Sequence, residues 1–388
     1  MRLAFLTTHP IQYQAPLFRS LARRPGVELT VLFCHDHGVN PTYDAGYGLT
    51  IKYDVPLLEG YRYRFLRNVA PRPALSFSGL VNPEIISILG RHEFDAIVVH
   101  GYAYVTALMA FGAPRDRTRL LLRGDSSVGA RPRLARAFVK HFALRRFFRR
   151  VDHFLAIGSQ NRGYYESYGV APERITFAAH SVDNAYFTER SQEARRDPVA
   201  ARREFGLPEG GVLFVFAGKM LPKKRPFDLL DGFARAGLGR RAVLAYVGDG
   251  PLAADLEARV RSLGLGETVR LLGFRNQSEL PRILGACDAL VLPSDFEPWG
   301  LIVNEAMACG ATAVVSDCVG AWPDLLEPEH VFPVGDVDRL AEILRALALG
   351  PEAELRRIQS RAFERIAAWG IEQTADGVLR GVDTALRS

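Results

Sequence analysis

Cysteine is scarce in this chain, and long apolar runs are missing. The four cysteines among 388 residues, Cys34, Cys287, Cys309 and Cys318, form no Cys-x-x-Cys pair and lie in or beside apolar segments. That usage suits reduced thiols in a cytosolic protein and argues against a disulfide framework. No uninterrupted apolar run approaches the roughly 20 residues that cross a bilayer as a helix. Met1 to Leu6 reads as the opening of a strand, without the flanks of a secretory signal. Internal repeats and low-complexity tracts are lacking too, so solenoid and disordered classes fall away. A cytoplasmic protein is the expectation, with room for peripheral contact at the inner membrane face.

What is present fits a globular enzyme. At 388 residues the chain is long for one hydrophobic core, which makes two domains the expectation. Short apolar runs alternate with helix-compatible stretches, the pattern of βα units on parallel sheets. A charged and polar linker from Gln192 to Arg203 suggests an N-terminal domain over 1–190 and a C-terminal domain over 191–369. Lys and Arg total 49 against 43 acids, a mild excess that is unevenly placed. Residues 131–150 hold eight Lys/Arg and no acid, interleaved with Leu134, Phe138, Phe142, Leu144, Phe147 and Phe148. Such a segment suits an anionic membrane surface, and it equally suits a packed helix with a solvated basic face. No nucleic-acid-binding module accompanies the charge, so nucleic acid is not expected as a partner.

The most informative stretch runs from Asp288 to Ser316. Asp288 to Pro293 and Ala311 to Ser316 read as buried strands, and Gly300 to Cys309 has helical composition closed by Gly310. Parallel sheets bind ligands at the carboxyl ends of their strands, beside helix N-termini. Backbone N–H groups at Gly300, Leu301 and Ile302 would face an anion there. Glu297 in the loop and Glu305 about a turn inside the helix stand at two depths around that seat. A long polar ligand such as a nucleotide sugar fits this arrangement; the alternative is a core helix carrying two solvated acids.

As it stands, Glu297-Pro298-x-Gly300-Leu301-x-x-x-Glu305-Ala306-Met307-Ala308-x-Gly310 resembles the donor-site signature of the family 4 retaining glycosyltransferases of the GT-B fold. The resemblance implies an α/β architecture of two doubly wound Rossmann-like domains facing across a cleft, with a last helix at about 370–388 packed back on the first. It implies transfer of a sugar, with retained configuration, from a nucleotide-sugar donor to a hydroxyl-bearing glycan, glycolipid or small molecule. No metal or other cofactor is expected. Gly218-Lys219 and Lys224 follow the strand Gly211 to Ala217 and resemble the family's Gly-Arg/Lys…Lys element. Lys219 and Lys224 would then hold the diphosphate, with Lys223 competing for the second place. Glu305 would hold the ribose and Glu297 the sugar hydroxyls. Phe274 and Arg275 stand where relatives line the nucleobase, and Trp299, Gly300, Leu301 and Ile302 complete the donor side. Asp336-Val337-Asp338 looks like a metal-binding pair, but it precedes an apolar helical pattern and reads as a cap.

The N-terminal half carries the acceptor-side candidates. The strand Leu3 to Thr7 leads into Thr8-His9-Pro10-Ile11-Gln12, where the family usually has a glycine-rich turn, so His9 and Gln12 read as ligand-facing. Phe94 to Val99 is a buried strand ending at His100, near the place where many relatives carry a sugar-reaching histidine; a satisfied structural histidine is the alternative. With it, the implied catalytic set is Glu297, His100, Lys219 and Lys224. Arg123 and Asp125 end another strand at the same edge. Cys34-His35-Asp36-His37 offers metal-ligand types without a further ligand elsewhere, and reads as a polar acceptor-side loop. Pro41 to Arg67, rich in Tyr and Gly, is either an elaborated loop over the acceptor or exposed loop packing. His180 and Ser181 depart from the Asn-Gly that relatives place before Val182-Asp183. Two rival readings remain, a nucleotide-sugar epimerase and a catalytically silent binding subunit. The intact lysines and glutamates favour a transferase.

Overall fold

Apolar runs with no polar alternation become strands covered on both faces, and the central strands of the two large sheets of this protein are built that way. The computed structural model describes residues 1–44, 46–115, 117–127 and 134–388, with backbone alone over 134–140. The chain divides into two units: Met1–Thr42 with Val55–His180 and Ile371–Ser388, and Tyr43–Asp54 with Ser181–Gly370.

In the first unit, β1 (Arg2–Thr7) and β2 (Glu28–Phe33) open a parallel sheet; the chain then forms a separate two-stranded ribbon of β3 (Thr42–Asp44) and β4 (Leu49–Ile51), nearly all of it in the second unit. The sheet continues with β5 (Arg62–Phe65), β6 (Ala96–His100), β7 (Arg119–Arg123), β8 (His153–Ala156) and β9 (Ile175–Phe177), in the order β5-β2-β1-β6-β7-β8-β9. Successive side chains point to opposite faces. Leu3 and Phe5 of β1 therefore pack with Leu17, Phe18 and Leu21, and with Val378 and Val382 of the helix Ile371–Arg387. Ala4 and Leu6 pack on the other face with Ile85, Ile88 and Phe111. The helix Ile371–Arg387 lies close because Gly377 carries no side chain: a Cβ there would stand 2.2 Å from the Phe177 carbonyl oxygen.

The second unit holds β10 (Val212–Ala217), β11 (Ala242–Val247), β12 (Val269–Gly273), β13 (Ala289–Leu292), β14 (Thr312–Ser316) and β15 (Val331–Phe332). They form a parallel sheet in the order β12-β11-β10-β13-β14-β15. The helix Leu301–Ala308 connects β13 to β14, and Gly300 at its N-cap has φ +97°, a left-handed value that glycine adopts without strain.

Three placements differ from the sequence reading. The division falls between His180 and Ser181 rather than near 190, because the helix Asn184–Arg196 buries Phe187, Ser191 and Ala194 within the second unit. Of the charged residues of the expected linker, Glu193 and Arg196 are exposed on that helix, Asp197 caps the next helix, Pro198–Glu204, and Arg202 in its last turn is buried and paired with Asp288 at 3.0 Å. The ribbon of 43–54 also belongs to the second unit, with the Glu297–Glu305 stretch, rather than to the first. In the basic segment, residues 131–133 and the side chains of 134–140 lie outside the described residues. Farther along its helix, Leu144 and Phe148 are buried and Phe147 packs on the same core, while Phe142 is 62% exposed. Among the described residues, no helix is long and apolar enough to cross a membrane.

Asp336 caps the helix Val337–Leu349, its carboxylate accepting from the Arg339 N–H at 2.9 Å. Burial pushes the Cys34 thiol up to about 12, away from the thiolate a metal needs. No group of three or more metal-ligating side chains stands together among the described residues.

Candidate functional site

Sheet order locates the ligand seats. In each sheet the winding reverses once, between β10 and β13 in the second unit and between β1 and β6 in the first. The crevice at such a reversal, outside the carboxyl ends of the strands, is where doubly wound sheets bind ligands.

In the second unit, β10 exits into Gly218 and Lys219. The turn after β11 crosses this exit so closely that a Cβ on Gly248 would fall 2.0 Å from the Gly218 carbonyl oxygen. Lys219 Nζ donates to both carboxylate oxygens of Asp44 at 2.8 Å and lies 4.9 Å from the centre of the Tyr47 ring. Burial works against the Asp44 carboxylate, but the Lys219 hydrogen bond and charge outweigh it and hold its pKa below the usual range. A short 3-10 turn, Pro222–Lys224, then presents Lys224. Arg225 follows in the left-handed region, φ +50°, unusual for a residue with a side chain, and pairs with Asp228 at 2.7 Å and Asp295 at 2.9 Å. The Asp295 N–H donates to the Lys223 carbonyl at 2.8 Å, binding this turn to the loop after β13.

On that loop, Glu297 meets the Lys224 ammonium directly and accepts from the Ser294 hydroxyl at 3.1 Å. Burial lowers Lys224 to about 8, and the charges of Lys223 and Lys219 add to the shift. Contact with the Glu297 carboxylate acts in the opposite sense and favours the ammonium. Glu305, one turn into the helix Leu301–Ala308, is 6% exposed, and burial raises its carboxyl to about 8, with a Gln277 hydrogen bond offsetting part of the rise. Burial thus favours the protonated form of Glu305, which can donate one hydrogen bond as well as accept others. At the end of β12, the Phe274 ring meets the Tyr47 ring at 5.0 Å.

Lys219, Lys224, Glu297, Gly300, Leu301, Ile302, Glu305 and Phe274 are therefore all borne on strand ends, loops or the first helix at this edge of one sheet. Two candidates are turned elsewhere. Trp299 is 2% exposed, stacks on Trp369 at 5.4 Å and donates its indole N–H to Asn304 at 2.8 Å. Its large apolar surface goes to the core rather than to a ligand. Arg275 pairs with Glu279 at 3.0 Å and lies over the Phe205 ring.

In the first unit, His9 and Gln12 follow β1, His100 ends β6, Arg123 ends β7 and Asp125 follows it. Burial lowers His100 to about 4 against the opposing charge of Asp125. Burial also lowers His9 to about 3, helped by His37, His35 and His100. Both rings are neutral at pH 7. Asp125 lies 3.7 Å from His100 Nε2 and 3.3 Å from His180 Nε2, and these neighbours with Arg123 overcome burial and keep it ionised. Buried Arg123 donates to the Ala178 and Ala179 carbonyls at 3.3 and 3.2 Å and meets His180 Nδ1 at 3.3 Å. Gln12 Oε1 and His100 Nδ1 are buried without a hydrogen-bond partner among the described residues. Buried polar atoms in that condition mark a place for a polar ligand or water.

The sequence reading missed His180, Asp44 and Tyr47. His180 carried a signal, as a departure from the pattern of relatives just before Val182. The other two sit in a Tyr- and Gly-rich stretch far from Lys219 in sequence, and no local pattern links them.

Residues 199–365 match the family model described as glycosyl transferases group 1. A D-inositol 3-phosphate glycosyltransferase of Saccharomonospora viridis is 32% identical over 228 residues, 55% of this chain and 50% of that protein. A 2-deoxystreptamine glucosyltransferase of Streptomyces kanamyceticus is 33% identical over 183 residues, 45% of this chain and 47% of that protein. The chain spans about half the length of these curated relatives. Among solved structures, Anabaena Alr3699/HepE in complex with UDP aligns with a TM-score of 0.72 at 19% identity, covering 99% of this chain and 100% of that chain. The fold is the GT-B fold of two Rossmann-like domains.

Proposed function

We propose that this chain, similar to the group 1 glycosyltransferases over residues 199–365 and GT-B in fold, moves a sugar from a nucleoside-diphosphate donor to an acceptor hydroxyl with retained configuration. The observation that carries the reading is the reversal between β10 and β13, where Lys219 and Lys224 leave one strand and the Glu297–Glu305 element leaves its neighbour. The relatives named above act on different acceptors, so what they share is glycosyl transfer itself.

In this reading Lys219 and Lys224 hold the diphosphate. Negative charge grows on that group as the glycosidic bond breaks, so fixed cations stabilise the transition state more than the ground state. Glu297, held by Lys224 and Ser294, takes hydroxyls of the transferred sugar. Neutral Glu305 can both donate to and accept from the ribose hydroxyls. The donor's own phosphate oxygen receives the acceptor proton, so no protein nucleophile is required. The two lysines supply the positive charge at the leaving group, and transfer needs no metal. Gln12 and His100 in the first unit bind the acceptor's polar groups through their unpartnered atoms.

A panel of nucleotide sugars, offered with candidate glycan, glycolipid and small-molecule acceptors, tests the reading through nucleoside diphosphate release and the anomeric configuration of the product. Lys219→Ala and Lys224→Ala, checked for folding by circular dichroism, should each lower turnover at saturating donor about a hundredfold or more, about 3–4 kcal/mol. Near-normal turnover in both folded variants would remove the diphosphate clamp. Epimerised donor without transfer would favour the epimerase reading.

A further inference from the structure

The ribbon of residues 43–54 carries an anion and an aromatic ring to the places where a nucleoside diphosphate's own anion and ring are expected. Asp44 sets both carboxylate oxygens 2.8 Å from Lys219 Nζ. The Tyr47 ring lies 4.9 Å from the same ammonium and meets Phe274 edge-on at 5.0 Å. The carboxylate is aimed by its own backbone, since Asp44 Oδ1 accepts from the Gly46 N–H at 2.8 Å and the Tyr47 N–H at 3.2 Å. Fit is close along the turn. A Cβ on Gly46 would fall 2.7 Å from Lys219 Cδ, and one on Gly250 would fall 3.2 Å from the Gly46 carbonyl oxygen. The far end is fastened to the loop after β12: Asn276 Nδ2 donates to the Lys52 carbonyl at 2.8 Å, and the Ser278 N–H and hydroxyl both donate to Asp54.

We propose that this ribbon is a built-in occupant of the donor site, in which Asp44 holds Lys219 in place of the donor's diphosphate and Tyr47 covers the Phe274 wall. The proposal rests on the reading of Lys219 as a diphosphate ligand. A carboxylate and a diphosphate cannot share one ammonium without mutual repulsion, so the donor binds by displacing Asp44. A nucleoside without phosphates contends with Tyr47 for the Phe274 wall but makes no claim on Lys219, so its binding does not depend on the Asp44 charge. The ribbon therefore sets a charge threshold for entry, which a diphosphate passes by outcompeting a single carboxylate for the lysine.

Asp44→Asn isolates this effect, because the amide oxygen still accepts from the Gly46 and Tyr47 N–H groups while the charge is gone. Asp44→Ser is a second uncharged variant that keeps an acceptor at the turn. Calorimetric titration of UDP, GDP, ADP and CDP into the wild-type protein selects the tightest nucleoside diphosphate. That diphosphate and its parent nucleoside are then titrated into the two Asp44 variants and into Lys219→Ala, each checked by thermal unfolding. The expected result is diphosphate binding threefold or more tighter in the Asp44 variants, nucleoside binding changed less than twofold, and diphosphate binding weakened in Lys219→Ala. Unchanged or weaker diphosphate binding in the Asp44 variants, or an equal gain for the nucleoside, overturns the ribbon's role and leaves the lysine's standing. Diphosphate affinity untouched by Lys219→Ala, or no binding by any of the four, removes the underlying reading and this proposal with it.

Discussion

Glu305 shows how a single buried carboxyl ties folding to pH. Burial holds its carboxyl up at about 8, above the 4.5 of a free glutamate. Between those values the native state binds more protons than the unfolded state, so the stability Glu305 contributes is fully present below the lower value and is lost as pH rises through the upper one. Glu305→Gln cannot ionise and escapes that loss. Thermal unfolding across pH 5 to 9 should show the variant gaining on the wild type as pH rises, then levelling above about 8. A difference constant over that range would mean that Glu305 is already ionised at neutral pH. The sequence made Glu305 and its spacing from Glu297 legible, because both lie in one continuous motif. It did not reveal the raised pKa, which comes from burial in the folded chain. Trp299 failed for a similar reason: its partner in the stack, Trp369, is distant in sequence.

At the scale of elements, most strands of the two large sheets were readable because they are short apolar runs bounded by turn residues, whereas β5, exposed along its length, lies in a stretch read as loop. The helix Ile371–Arg387 depends on a subtler feature, the small residues that let it approach β8 and β9. Gly377→Ala would set a methyl group 2.2 Å from a backbone oxygen, which no rotamer relieves. The helix has to shift, and overpacking of this kind costs about 1–3 kcal/mol. A chemical denaturation midpoint moved to lower denaturant, with the slope unchanged, is the expected measurement; an unmoved midpoint would show that the helix is free to adjust. The ribbon of 43–54 was the least legible element. Its anchoring contacts, Asp44 to Lys219 and Asp54 to Ser278, span 175 and 224 positions of sequence, and a pass along the chain detects only neighbours.

For the molecule as a whole, the two units predict a local response to ligand. Hydrogen exchange with and without a bound nucleoside diphosphate should show protection gathered in residues 218–225 and 294–302, since the proposed ligands Lys219, Lys224 and Glu297 lie there. Backbone amides of β8 and β9 should exchange at the same rate in both states. Protection confined instead to the strand ends of the first unit would place the nucleotide on the wrong sheet. The division into two doubly wound units was legible from length and pattern, but its boundary was not, because Gln192 to Arg203 looks like a linker when only the charge of its outer face is counted. The first unit is also discontinuous along the chain, and this bears on how the protein is made. Its strands are all synthesised by Phe177, yet the helix that covers Leu155 and Ala178 begins at Ile371. A ribosome must complete the whole of the second unit before that helix emerges. During that interval the part of that apolar face around Leu155 and Ala178 is open to any chaperone, or to another unfinished chain on the same message.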